Sequence, residues 1–280
     1  MSPRTRRRLT RVAFNALAVV IIVCSVFPVY WMVNTSLLPG GVVSSPTPHL
    51  WPDQLTFDNY ADVWVEGGIV SALGASFAVT AITVVASLLF AFAASVALSR
   101  YRFRSRRSFI VAVLVVQMIP AESLIISTFR ILDGWQLINT ILGLGLVYIA
   151  LVLPFTIWTL RSFVDGIPVE LEEAAMIDGC TRSGAFWRIT FPLLAPGLVA
   201  TGIFAFIQAW NEFLYALVIL TRPEAQTLPI WLRAFVQATK ATDWSVVMAA
   251  STLMAIPVIV FFLLVQRRMA GGLVAGAVKG

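Results

Sequence analysis

The chain has 280 residues, of which 59% are hydrophobic and only 12% charged, with a formal net charge of +6 and a mean hydropathy of +0.88. A soluble domain is about 45–50% apolar and about 25% charged, so an ordinary soluble enzyme, a disordered chain and a small secreted scaffold are excluded. The basic pI of about 9.9 does not indicate nucleic acid, because the charges stand at the ends of apolar runs rather than on one polar face.

A helix needs about 20 mostly apolar residues to cross a bilayer. Six stretches qualify, over residues 12–37, 69–98, 108–131, 141–160, 197–220 and 244–265. The first, preceded by Arg4, Arg6, Arg7, Arg8 and Arg11, has the look of a signal peptide. No small-x-small cleavage site follows it and five more spans do, so it reads as an uncleaved helix.

The segment 38–68 carries Pro39, Pro46, Pro48 and Pro52, then Trp51, Phe57, Tyr60 and Trp64. It predicts a turn-rich loop ending in a short aromatic helix. On the second span Thr83, Ser87, Ala91, Ser95 and Ser99 recur every four residues, a stripe that lets two helices approach closely in lipid. Pro28, Pro120, Pro154 and Pro257 lie inside spans and favour kinks.

Lys and Arg divide unequally between the two sides. One side takes 16, including Arg100, Arg102, Arg104, Arg106 and Arg107; the other takes Arg130, Arg222, Arg233 and Lys240. Positive charge is retained on the cytoplasmic side, so both termini are expected there, and the arginine cluster at 100–107 reads first as a topology determinant, with contact to a partner as the alternative.

The expected cytoplasmic segment 161–196 is unlike the other loops. Pro168 suits a first helical position, and Glu170, Glu172 and Glu173 load the first turn with negative charge, which suits the positive end of the helix dipole. Gly179 ends this helix, and a second one is expected over 182–190, closed by Pro192. Such a hairpin must pack on its own protein or on a partner; its acidic first turn argues against a lipid-surface helix.

Glu173-Ala174-Ala175, three residues, Gly179, nine residues, then Ile189-Thr190-Phe191-Pro192 resembles the "EAA" loop of ABC importer permeases, with Phe191 where leucine is usual. Trp210-Asn211-Glu212-Phe213 and Met118-Ile119-Pro120-Ala121 resemble carbohydrate-type members, as does the size of the smaller permease of a maltose-type pair. The resemblance covers about 69–268.

What it implies is an all-α polytopic protein of the cell membrane with six transmembrane helices in one domain. A coupling helix between spans four and five would dock in an ATPase groove through Glu173, Ala174, Ala175, Asp178, Gly179, Ile189 and Pro192. Partners would be a second permease, two ATPase subunits and an extracellular solute-binding protein. The chain has no G-x-x-x-x-G-K-[ST] phosphate loop; ATP and Mg would belong to the ATPase, and no cofactor to this chain.

Glu122 and Glu212 fall inside spans, where a charge at mid-bilayer costs about 2.5–3.5 kcal/mol and so faces a cavity or a partner. Gln208, Asn211, Glu212 and Tyr215 share one face of the expected fifth helix, at spacings of 3, 4 and 7. With Trp210 beside it, that face suits a sugar: amides and carboxylate for hydroxyls, an aromatic for the ring. The alternative is that these groups bond helix to helix. The leading function is therefore a sugar importer permease. The alternatives are a permease for another solute, such as an amino acid or peptide, and an ion-coupled carrier using Glu122 and Glu212.

Overall fold

The computed structural model describes residues 3–45, 47–236 and 242–277, with side chains over 11–45, 47–236 and 242–266. Pro46 and Lys240, named above, and Lys279, one of the sixteen, lie outside the described residues, as do the side chains of Arg4, Arg6, Arg7, Arg8, Arg267 and Arg268, which are also among the sixteen. Among the described residues every regular element is helical. Internal packing divides the chain into two units, Met1–Gly67 with Leu232–Ile256, and Gly68–Trp231 with Pro257–Gly280.

The first unit begins with α1 (Pro3–Ser36). Its side chains over 11–29 are exposed, for example Val12, Ile21 and Phe27, as a lipid-facing helix requires. A one-turn helix α2 (Gly40–Val43) and the aromatic helix α3 (Asp58–Glu66) follow. Polar bonds tie this segment to the end of α1. The Asn59 amide donates to the carbonyls of Ser36 and Leu38, each at 2.8 Å, and the Asn34 amide to that of His49 at 2.9 Å. The α1 terminus would otherwise leave carbonyls without partners.

The second unit is built on α4 (Ile69–Arg100), α7 (Ile141–Asp165) and α10 (Phe191–Asn211), which pack on one another. The small-residue stripe is where close approach occurs: Thr83, Ser87, Ala91 and Ser95 are all fully buried. Burying hydroxyls in an apolar contact is tolerated because each bonds a carbonyl one turn back, as Thr83 does to Val79 at 2.8 Å and Ser95 to Phe92 at 2.9 Å. At Gly197 of α10 a Cβ would stand 2.6 Å from the Phe163 ring, so only glycine allows this spacing to α7.

Between α4 and α7 the expected single span over 108–131 is instead two helices, α5 (Arg106–Gln117) and α6 (Ile125–Gly134), joined by a 3-10 turn at Ala121–Leu124 and bent by 91°. Pro120 lacks an N–H and disfavours helix at Ile119, and it stands at the break. Pro28, Pro154 and Pro257, by contrast, lie inside continuous helices.

After α7 come α8 (Glu170–Ile177) and α9 (Arg182–Ala185). The expected stop at Pro192 does not occur. A π-helical turn, Phe186–Thr190, carries α9 directly into α10, and Pro192 follows that turn as the second residue of α10. The fifth expected span, 197–220, breaks at Glu212–Phe213, and α11 (Leu214–Ile219) follows. The chain closes with the short α12 (Leu228–Leu232) and the long α13 (Trp244–Ala277). Among the described residues, five helices are long and apolar enough to cross a membrane, six if α5 and α6 count as one bent span.

Candidate functional site

The loop matched by the Glu173-Ala174-Ala175 spacing is an ordered piece of the second unit. Helix α8 ends in a Schellman arrangement: the Gly179 N–H donates to the Met176 carbonyl at 3.1 Å, and the Cys180 N–H to that of Ala175 at 3.0 Å. Gly179 has φ +92, in the left-handed region, and a Cβ there would meet open space. Glycine is thus required by backbone conformation rather than by crowding.

The two faces of α8 differ. Glu172 and Ala175 are buried, whereas Leu171, Glu173, Ala174 and Ile177 are exposed, Ile177 to 86%. Asp178 and Pro192 are exposed as well, and Ile189 is half-buried. Ala174, Ile177 and Asp178 together therefore present a small-and-apolar surface with a carboxylate at its edge. The buried partner of α8 was not singled out by sequence: Glu172 Oε1 accepts from Arg100 Nε at 2.8 Å and from the Thr190 hydroxyl at 2.7 Å. Its signal was its place three residues before Ala175 on one helical stripe, opposite the face of Glu173, Ala174 and Ile177. Nearby, Arg161 pairs with Asp165 at 3.3 Å and the Ser99 hydroxyl donates to Asp165.

The residues expected along the fifth span do not lie on one helical face, because the helix breaks between Asn211 and Leu214. Gln208 and Asn211 are exposed, and the Asn211 amide donates to the Ile207 carbonyl at 2.9 Å. Trp210 is buried, stacked on Phe206 and edge-on to Phe77. Tyr215 is buried and its hydroxyl donates to the Ala121 carbonyl at 2.6 Å.

Glu212 closes the break. Its carboxylate accepts from the Tyr215 N–H at 2.8 Å, the Ala216 N–H at 3.0 Å and the Tyr148 hydroxyl at 2.6 Å. An interrupted helix in a membrane must find partners for its freed N–H groups, and here a carboxylate supplies them at the positive end of α11. Tyr148, on α7, was not foreseen. Glu122 is exposed on the 3-10 turn between α5 and α6.

A cavity of about 440 Å³ opens beside the 91° bend, lined by Gln117, Thr128, Trp135, Leu151, Pro154 and Tyr215 among others. It is mainly apolar. Of the six residues expected to face the substrate, only Tyr215 reaches it.

On the other side of α6, Asn139 adopts φ +60, and its Oδ1 accepts from the N–H groups of Thr221 and Arg222 at 2.7 and 2.9 Å. This clasp joins the segment after α6 to the end of α11.

Comparison with known proteins agrees with this architecture. Residues 90–273 match the family described as binding-protein-dependent transport system inner membrane component. The chain is 45% identical to the diacetylchitobiose uptake system permease protein DasC of Streptomyces coelicolor, over 96% of this chain and 98% of that one. It is 38% identical to the trehalose transport system permease protein SugB of Mycobacterium tuberculosis, over 91% and 93%. It is 32% identical to the trehalose/maltose transport system permease protein MalG of Thermococcus litoralis, over 97% and 98%. Its fold resembles a chain in the crystal structure of a bacterial ABC transporter that imports alginate, with a TM-score of 0.80 at 23% identity, covering 95% of this chain and 98% of that one. The chain thus belongs to the family of binding-protein-dependent transport system inner membrane components, as a multi-pass permease subunit.

Proposed function

We propose that this chain forms half of the translocation pathway of an ATP-driven importer for a sugar or sugar derivative. A solute-binding protein would deliver the substrate from outside, and a second permease would complete the pathway. Three relatives named above bear names of permeases for diacetylchitobiose, trehalose, and trehalose with maltose, and this supports a sugar as cargo. ATP and Mg would be held by separate ATPase subunits.

The observation that carries the coupling role is the shape of α8. A short helix is fixed from within by Glu172, stopped by a left-handed glycine, and presents Ala174, Ile177 and Asp178 to solvent. That surface is small enough to seat in a groove and apolar enough to need one. The excess of Lys and Arg on the α8 side supports placing that loop and both termini in the cytoplasm. For the pathway, Gln208, Asn211 and Glu122 are the exposed polar groups that could bond sugar hydroxyls. In this reading Glu212, Trp210 and Tyr215 shape the wall.

The test is co-expression with an ATPase, a second permease and a solute-binding protein from the same genome. The binding protein is then screened for thermal stabilisation by N-acetylated, gluco- and malto-configured disaccharides. Stabilisation by at least one of these, with uptake of the same sugar into proteoliposomes, is the expected result. Stabilisation only by amino acids or peptides would overturn the sugar assignment.

A further inference from the structure

Arg100 ends α4, within a cluster of arginines of which Arg102, Arg104 and Arg107 are exposed and Arg106 is half-buried. An arginine that served only to set topology would extend its head to water. The Arg100 side chain is instead 8% exposed and that of Glu172 is 10% exposed. Arg100 uses two donors at once: Nε to Glu172 Oε1 at 2.8 Å, and a terminal nitrogen to the Ile167 carbonyl at 3.0 Å. Glu172 Oε1 also takes the Thr190 hydroxyl. One buried ion pair thus ties the end of α4, the segment after α7, helix α8 and the turn that leads into α10. The exposed Glu173 of the matched triplet has no such place.

We propose that Arg100 is a positioning residue, which through Glu172 locks α8 to α4 and α10, so that a push on α8 moves both membrane helices as one body. This rests on the coupling role of α8 proposed above. Without the clasp, α8 would be held mainly by its chain connections and the burial of Ala175. An ATPase could then displace it without moving the helices behind it.

The geometry supplies a selective test. Gln Nε2 stands the same number of bonds from Cα as Arg Nε, so glutamine at 100 can still donate to position 172. Arg100→Gln alone strands a buried carboxylate, and Glu172→Gln alone strands a buried guanidinium. The double variant removes both charges and leaves a hydrogen-bonded amide pair. A merely structural role would show the same rescue of stability; what it would not move is the response to nucleotide at the start of α10.

The measurement is hydrogen exchange of the complex in nanodiscs, with and without ATP and vanadate. In each single variant, exchange over 169–180 should rise at least tenfold, while the α7 core over 143–157 stays within twofold. In the double variant it should return to within threefold of wild type. A nucleotide-dependent change over 186–196 should be present in wild type and in the double variant and lost in the singles. Glu170→Gln, exposed on α8, is the control. Thr190→Val, which removes one hydroxyl at nearly constant volume, should raise exchange over 169–180 about threefold and keeps the test usable if a single variant fails to insert.

Wild-type exchange over 169–180 in the single variants or in Thr190→Val would overturn the proposal, as would a double variant no better than the singles. A wild-type complex with no nucleotide response would refute the coupling role of α8 and with it transmission through Arg100. The nucleotide-free exchange pattern separates that outcome from failure of the clasp itself.

Discussion

Glu212→Ala removes one carboxylate that accepts three hydrogen bonds at the break between α10 and α11. A buried donor left without a partner costs about 1–3 kcal/mol. Three donors set an upper range of roughly 3–9 kcal/mol, and water reaching the half-buried site lowers this, so a loss of about 3 kcal/mol is a conservative expectation. Tyr148→Phe removes only the phenol donor. A hydrogen bond to a charged group contributes about 1.5–3 kcal/mol, so its effect should be about half as large. Glu212→Gln keeps one acceptor oxygen and should fall between the two. At roughly 2–4 °C per kcal/mol for a chain of this size, Glu212→Ala should lower the apparent Tm of the detergent-solubilised complex by about 6–12 °C. The assay is fluorescence-detected size exclusion after heating, with transport measured on what survives. A Glu212→Ala complex of unchanged Tm that fails to transport would refute this reasoning and return Glu212 to the substrate path.

The two alanines of the matched triplet should separate. Ala174→Trp stands on the exposed face of α8 and should abolish ATPase association while leaving Tm within about 2 °C, whereas Ala175→Trp, on the buried face, should lower Tm itself; pull-down and melting distinguish them. Gly179→Ala adds a Cβ in open space but at φ +92, which costs about 1–2 kcal/mol, so it should loosen the C-terminal end of α8 and weaken ATPase binding several-fold, as read by titration of the ATPase onto nanodiscs. Gln208→Leu and Asn211→Leu should each lower sugar uptake without changing assembly; dissociation of the two permeases would assign these residues to the interface instead.

What was legible in sequence was periodic or compositional. Long apolar runs are the plain consequence of bilayer thickness, and the four-residue spacing from Thr83 to Ser95 marked a helix contact because only small side chains permit it. The Gly179 stop was readable because few residues other than glycine adopt a left-handed conformation cheaply. The polar pairings were hidden. Arg100 and Glu172 are 72 residues apart, and Arg100 stands among four other arginines in sequence, so no local pattern separated it from them. The break after Asn211 carries no proline or glycine. Its trace was a carboxylate three and four residues before the N–H groups it accepts, a spacing that resembles an N-terminal cap. Pro120 announced a kink but not a 91° turn, since the angle depends on how α6 packs behind it.

If α8 passes force from an ATPase to this permease, ATP hydrolysis in the reconstituted complex reports it. Wild-type proteoliposomes should hydrolyse ATP faster when substrate-loaded binding protein is added, and Ala174→Trp should abolish that stimulation while the permease remains inserted. Equal stimulation in the variant, or transport by this chain with no ATPase present, would show that α8 does not couple.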